Sequence, residues 1–323
     1  MERFGSDMKY LIGIDGGGSR TRLQCFDMSG MPVSETTAGT TDFHQIGASG
    51  VAGVLSRAFD RLGVDPGDSL VGFGMPAFGE NKSEDEMAAD EIRKSFPGTR
   101  ISFENDVYCA WAGAMAFSPG VTVVCGTGAM SVGCGSDGRL VRCGGWDIFF
   151  SDEGSGYWLG KKALEIFTKQ ADRRLPRGAL YDLMRERLKI QDDMEINSIV
   201  RSEYAVSRER TASLQMVLFE AQRQGDETAK QAYEQAIREV ALIALGAVRQ
   251  LDFEDETVDV SYIGGLFKEK ELFLDPFVTE INKHFKANVF APKLSPCQGA
   301  LLFALNRFEK DKFEEIKESF LAG

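Results

Sequence analysis

Short apolar runs that end in glycine alternate along this chain with stretches of helical periodicity. Tyr10 to Asp15 (YLIGID) runs into three glycines, and Thr21 to Asp27 (TRLQCFD) alternates before the turn residues Asp27-Met-Ser-Gly30, which predicts a strand, a glycine loop and a second strand. Val51, Val54, Leu55, Ala58, Phe59 and Leu62 recur at helical spacing, and Ser69 to Met75 (SLVGFGM) is apolar throughout, as a strand covered on both faces is. A helix near Ser83 to Phe96 and a strand at Arg100 to Glu104 follow. Val121 to Cys125, Met130 to Cys134 and Leu140 to Cys143 predict three more strands, the last two joined by the turn Gly135-Ser-Asp-Gly138. From Gly156 to about Leu251 the pattern is helical with charged faces, with stops near Pro176 and Gly225. A strand, Val258 to Ile263, then runs into Gly264-Gly265, and the chain ends helical from Gly299 to Leu321.

The strand-loop-strand opening occurs twice, near positions 10 and 121, which suits two similar halves facing each other across a cleft. At 323 residues the chain exceeds the size at which one core keeps growing, so an α/β protein of two domains is expected. The formal net charge of −12 argues against a nucleic-acid partner. No apolar run reaches the length of a membrane span, and the polar start MERFGSDMKY is no signal peptide, so a soluble, cytoplasmic protein is expected. Six cysteines without CxxC pairing read as reduced thiols, and His44 and His284 alone cannot build a zinc site.

The strongest local signal is Asp15-Gly16-Gly17-Gly18-Ser19-Arg20-Thr21. Consecutive glycines let backbone N–H groups approach an anion, Asp15 could hold hydrated Mg²⁺, and Ser19 and Thr21 offer hydroxyls to phosphate oxygens. A plain glycine hairpin with a capping Asp is the alternative. Gly126-Thr127-Gly128 repeats the turn after the strand at Val121 to Cys125. It is not a dinucleotide fingerprint, because Ser131 stands where the third glycine should fall, and Gly160-Lys161 is no Walker A loop, because it lacks the spaced upstream glycine and a following Ser or Thr. Asn105-Asp106 stands between a strand end and a helix, where an Asp is commonly an N-cap but could equally take the proton of an attacking hydroxyl. Gly144-Gly145-Trp146 and Ser151-Asp152-Glu153-Gly154-Ser155-Gly156-Tyr157-Trp158 combine small residues, carboxylates and indoles, as carbohydrate sites do, although Asp152-Glu153 could simply open a helix. Gly264-Gly265 suits close approach of a flat base, or a turn.

Taken together, these motifs resemble the N-acetylglucosamine kinases of the BadF/BadG/BcrA/BcrD ATPase family, across nearly the whole chain and most weakly between about Lys169 and Arg249. The resemblance implies a two-domain actin-like (ribonuclease H-like) ATPase fold with ATP in the interdomain cleft. Residues 1–115 would form the N-terminal domain, 116–305 the larger second domain, and a final helix at about 306–323 would pack back on the first. It further implies ATP-dependent phosphorylation of an amino sugar, N-acetylglucosamine to its 6-phosphate, with glucosamine or another hexosamine as the alternative. Asp106 would be the base. Gly16, Gly17, Gly18, Ser19, Thr21, Gly126, Thr127 and Gly128 would hold phosphates, Gly264 and Gly265 would border the nucleoside, and Asp15 would hold Mg²⁺ through water. Asp42, Asn105, Gly145, Trp146 and Asp152 are the sugar-side candidates, and a homodimer is the expected assembly.

The chain departs from the family pattern where relatives carry Thr-Gly-Ser-Asn and it reads Thr127-Gly128-Ala129-Met130, and in placing Asp42, Asp147 and Ser151 at unusual positions. The added carboxylates Asp42 and Asp147 suggest a preference for a cationic amine such as glucosamine. Rival readings are an activator ATPase sharing an iron-sulfur cluster, a non-catalytic nucleotide or sugar sensor, and a glucokinase-type enzyme with structural zinc; the last lacks its Cys-rich loop here.

Overall fold

The computed structural model describes residues 8–251, 253 and 257–323. The chain divides into two units, one holding the chain up to Pro119 together with Ala291–Gly323, the other holding Gly120–Phe290.

The first unit opens with β1 (Tyr10–Asp15), β2 (Thr21–Asp27) and β3 (Pro32–Ala38), then α1 (Phe43–Leu62), β4 (Ser69–Met75), α2 (Lys82–Ser95), β5 (Arg100–Asn105) and α3 (Asp106–Met115). The sheet order is β3-β2-β1-β4-β5, with the first three strands antiparallel and β1, β4 and β5 parallel. Strand β4 is buried at every position, which is why it reads as an unbroken apolar run. Strand β3, which the hydrophobic pattern does not reveal, is a Ser- and Thr-rich edge strand that begins with Pro32. Its exposed alternate positions leave little apolar signal. On one face of the sheet Ile12, Ile14, Val71 and Phe73 pack with Val51, Leu55 and Phe59 of α1 and Ile92 of α2.

The second unit repeats the plan. Strands β6 (Gly120–Cys125), β7 (Ala129–Cys134) and β8 (Leu140–Gly144) precede helices α4 (Gly156–Ala171), α5 (Ala179–Leu188), α6 (Ile196–Ile199), α7 (Arg208–Ser213), α8 (Gln215–Arg223) and α9 (Glu227–Gln250). Strand β9 (Val258–Ile263), α10 (Asp275–Ile281) and a short β10 (Ala287–Phe290) complete it. Its sheet order, β10-β9-β6-β7-β8, again joins three antiparallel strands to two parallel ones. Read from each unit's own first strand, the order is the same in both. The core of this unit gathers Val121, Val123 and Val260 from the sheet with Leu159, Phe167, Tyr233, Val240 and Phe277 from the helices.

The chain then returns to the first unit from Ala291, earlier than the position near 306 expected from sequence, because the whole of α11 (Pro296–Phe308) belongs there and not only α12 (Lys310–Ala322). Leu301, Leu302 and Leu305 of α11 and Ile316 and Phe320 of α12 cover Leu11, Phe26 and Leu70 on the second face of the first sheet. Helix α11 lies backbone-to-backbone against its neighbours. A Cβ on Gly13 or Gly72 would strike the Cys297 or Ala300 carbonyl, and one on Gly299 would strike the backbone of Cys109 and Gly113 in α3.

Gly299→Ala is therefore expected to destabilise the protein by about 1–3 kcal/mol through overpacking, read as a lower denaturant midpoint. Gly53→Ala in α1, where a Cβ would meet only the end of Arg57 at 3.6 Å, is the opposite case and should be neutral or stabilising.

Candidate active site

In the first unit the parallel strands deliver two carboxylates to one sheet edge. Asp15 ends β1 beside Gly74 of β4, and Met75 of β4 pairs in turn with Asn105, the last residue of β5. Asp106 is the first residue of α3. The N-cap role that an Asp here could have filled belongs to Asn105, whose Oδ1 accepts the Val107 N–H at 3.0 Å while its Nδ2 donates to the Phe78 carbonyl at 2.6 Å. Asn105, a sugar-side candidate from sequence, is thus buried and occupied as a cap and tether. Asp106 is half-buried, and its Oδ1 accepts the Val107 N–H at 2.9 Å. Gly74 lies under the start of α3, where an added Cβ would come within 3.3 Å of the Asp106 Cα.

This enclosure changes both acids. Burial, then the nearby Asp15 charge and more weakly Glu80, push the Asp106 carboxyl up to about 7. Burial pushes Asp15 up to about 6, with Arg22 opposing the rise. Two neighbouring acids with raised pKa values titrate as a pair near neutral pH.

The glycine loop is held from behind. Gly16 N–H donates to the Gly74 carbonyl at 2.9 Å, the Thr40 hydroxyl donates to the Gly17 carbonyl at 3.1 Å, and Gln45 Nε2 donates to the Gly18 carbonyl at 3.1 Å. Ser19 is exposed on the loop. Thr21, expected to face phosphate, is instead fully buried with its hydroxyl 2.9 Å from that of Thr41, because the first residue of β2 points into the hairpin. Asp42 caps α1 by accepting the His44 N–H at 3.0 Å and also accepts from Gln45 Nε2 at 2.8 Å. Thr40, Thr41 and Gln45 carried no motif in the sequence; their part is visible only once the loop is folded.

In the second unit the turn Gly126-Thr127-Gly128 is locked to the start of α4. Gly156 N–H donates to the Gly126 carbonyl at 2.8 Å and Tyr157 N–H to the Thr127 carbonyl at 3.1 Å, while Ser155 caps the helix. Below the turn, Asp152 is buried in a left-handed conformation (φ 62°), accepts the Ala129 N–H at 3.1 Å and pairs with Arg208. Gly145 packs against the Met130 side chain, with a built Cβ only 3.0 Å from it, so the residue that departs from the family pattern fills this corner. Trp146 is 76% exposed, and the Arg142 guanidinium lies 5.8 Å from its ring centre.

A cavity of about 440 Å³ opens beside the turn, a size typical of small-molecule sites. Gly126, Thr127 and Gly156 line it, with Ala212, Met216 and Leu266 as apolar wall and Glu209, Ser213, Gln215 and Glu269 as polar groups. Gly265 also lines it, with open space where a side chain would begin, whereas Gly264 (φ 125°) presses on the Cys125 carbonyl and serves as a close-packed brace. The α7–α8 contribution lies in the stretch where the sequence carried least signal. The cysteines are free thiols, five buried and Cys143 half-buried, and burial pushes those of Cys109 and Cys125 far up, so they stay protonated. No cluster of three or more acidic, His or Cys side chains suited to a metal occurs among the described residues.

The repeated five-stranded sheets are the α/β actin-like fold shared by sugar kinases and ATPases. The sequence model of the BadF/BadG/BcrA/BcrD ATPase family matches residues 12–304, and the chain belongs to that family. It is 30% identical over 309 residues to the N-acetylmuramic acid/N-acetylglucosamine kinase of Clostridium acetobutylicum, covering 92% of this chain and 98% of that protein. It is 25% identical over 315 residues to the N-acetyl-D-glucosamine kinase of Dictyostelium discoideum, again covering 92% and 98%. The crystal structure of a candidate N-acetylglucosamine kinase from Chromobacterium violaceum matches with a TM-score of 0.72 and 26% identity over 93% of this chain and 100% of that one.

The raised acid makes a prediction about stability. Between the ordinary Asp value near 4 and about 7, the folded state keeps a proton on Asp106 that the unfolded state releases, so stability falls as pH rises through that window. Asp106→Asn removes this penalty. The variant should melt above the parent at pH 8 by roughly 2–4 °C for each kcal/mol of penalty removed, and the gap should shrink as pH falls from about 7 and close only near pH 4 in thermal unfolding.

Proposed function

We propose that this chain is an ATP-dependent amino-sugar kinase that transfers the γ-phosphoryl group of ATP to a hydroxyl of N-acetylglucosamine, the primary 6-OH. The observation that carries this reading is Asp106, a carboxylate directly after the end of a parallel strand that shares the Val107 N–H with the capping Asn105 and is held near pKa 7. A base is most effective when its pKa lies near the working pH. Two relatives named as N-acetylglucosamine kinases, each matched over 92% of this chain, support the same chemistry.

In this mechanism Asp106 accepts the proton of the sugar hydroxyl as its oxygen forms a bond to the γ-phosphorus. The bond from that phosphorus to the β–γ bridging oxygen breaks, its electron pair leaves with ADP, and Asp106 returns the proton to solvent. Gly17 and Gly18 of the first glycine loop, and Thr127 and Gly128 of the second turn, offer backbone N–H groups to phosphate, whereas the N–H groups of Gly16 and Gly126 are spent on the Gly74 and Gly128 carbonyls; the cavity lined by Gly265 seats the nucleoside. Magnesium, when bound, would shield phosphate charge. Asp15 fits its preference for one or two carboxylates with several waters, and the described residues form no dedicated metal cage. Trp146 offers an exposed ring to a sugar face. Asp42 and Asn105 act on this site chiefly by fixing loop and helix. The reduced thiols suit the cytoplasm, and a homodimer, expected by resemblance, is tested by sedimentation.

Purified protein with ATP and magnesium should consume ATP on addition of N-acetylglucosamine within a panel that includes glucosamine, N-acetylmuramic acid, N-acetylmannosamine and glucose. Asp106→Asn should lower kcat by about 10²–10⁴, and parent kcat should fall as pH drops below about 7. ATP consumption independent of every sugar would sink the kinase reading in favour of an activator or sensor. A separate variant addresses specificity: Asn caps as well as Asp, so Asp42→Asn removes the charge and keeps the helix. With that carboxylate engaged by His44 and Gln45, the glucosamine to N-acetylglucosamine ratio of kcat/KM should stay within about twofold; a tenfold change would give Asp42 a part in amine recognition.

A further inference from the structure

The cavity beside Gly126 presents a charge problem. Its lining contains two carboxylates, Glu209 and Glu269, and no Lys or Arg. A nucleoside triphosphate brings several negative charges to the same place, and phosphoryl transfer moves more charge onto the leaving phosphate as the bond to the γ-phosphorus breaks. Backbone N–H groups and a metal share this load, but a fixed cation beside the turn would act most directly on the leaving oxygen.

Arg208 stands at that position. It is the first residue of α7, the helix whose Glu209, Ala212 and Ser213 line the cavity. Its Nη2 is the atom that a side chain on Gly128 would meet first, so the guanidinium lies directly against the glycine turn. The buried Asp152 carboxylate, 4% exposed, pairs with Nη2 and also accepts the Ala129 N–H at 3.1 Å, tying the arginine to the strand that leaves the turn. The Arg208 side chain nevertheless remains 42% exposed, and its other N–H groups have no protein acceptor among the described residues. An arginine carries five N–H donors in a rigid plane, so one edge can be anchored while another meets phosphate.

We infer that Arg208 is a catalytic residue of the second unit that contacts the nucleotide's phosphates at the Gly126–Gly128 turn and stabilises the charge gathering on the oxygen that leaves with ADP, with Asp152 as its positioning residue. The inference rests on the nucleotide reading of the cavity. The reaction's balance is unchanged: the acceptor oxygen gains the bond to the γ-phosphorus, the bridging oxygen takes the electron pair, and Arg208 gives up no proton.

The test separates this role from the nucleotide reading and from a structural one. Adenosine and a non-hydrolysable ATP analogue are titrated calorimetrically into the parent protein, Arg208→Gln and Arg208→Lys, and kcat is measured for each. Arg208→Gln should bind adenosine like the parent, bind the ATP analogue about tenfold more weakly, and lose about 10²–10³ in kcat. Arg208→Lys should recover part of both losses by keeping the charge. Unchanged analogue affinity and kcat in Arg208→Gln, with the parent binding both ligands, would overturn the role of Arg208 while leaving the nucleotide site intact. Equal loss of adenosine and analogue binding with a lowered melting temperature would also overturn it, in favour of a purely structural ion pair. A parent protein that bound neither ligand would overturn the nucleotide reading itself.

Discussion

The close backbone contact between α11 and the first sheet is the constraint on which the acidic end of this protein rests. Ordinary side chains hold packed helices about 8–10 Å apart, axis to axis; here glycines at 13, 72 and 299 let the backbone of α11 meet those of the first sheet and α3 directly. That closeness shuts water out from beneath β1, β4 and α3, and it fixes the strand ends from which Asp15 and Asp106 project. Cys297 of α11 is itself fully buried and donates toward the Arg22 carbonyl at 3.4 Å. The perturbed acids are a consequence of this packing. A looser helix would admit water, and both carboxyls would relax toward ordinary values.

The second unit solves a different problem with the same plan. Its glycine turn has no carboxylate at the preceding strand end, because β6 finishes in Cys125, a buried thiol. Its shape comes from hydrogen bonds donated by the start of α4 and from the Asp152–Arg208 pair beneath it. An ion pair between a buried carboxylate and a partly exposed guanidinium gives little net stability once desolvation and solvent screening are counted. Its value here is geometric, since it holds a left-handed residue and a guanidinium in one arrangement beside the turn. Both sides of the turn are therefore pinned, and the cavity next to it has a rigid border.

Most of the strands and both glycine loops could be read in the sequence, because buried parallel strands leave continuous apolar runs and glycine marks their ends. The position of Asp106 was legible for the same reason, since it follows a strand directly. What escaped was of two kinds. Strand β3 is polar and lies on an edge, and the α7–α8 wall of the cavity follows from how helices far along the chain pack, which no local pattern records. Individual assignments also shifted when direction mattered: Thr21 turned inward, Asn105 became the cap, and Gly264 became a brace. Spacing along a chain tells which residues are neighbours on a strand, but not which of them spend their polar atoms on the fold itself.

The shared strand order makes the two halves comparable position by position. Asp15 and Cys125 occupy matching ends of β1 and β6. One place in the topology thus holds an acid that titrates near neutral pH and the other a thiol kept protonated, so the same scaffold presents a pH-responsive rim in one unit and an electrically inert one in the other.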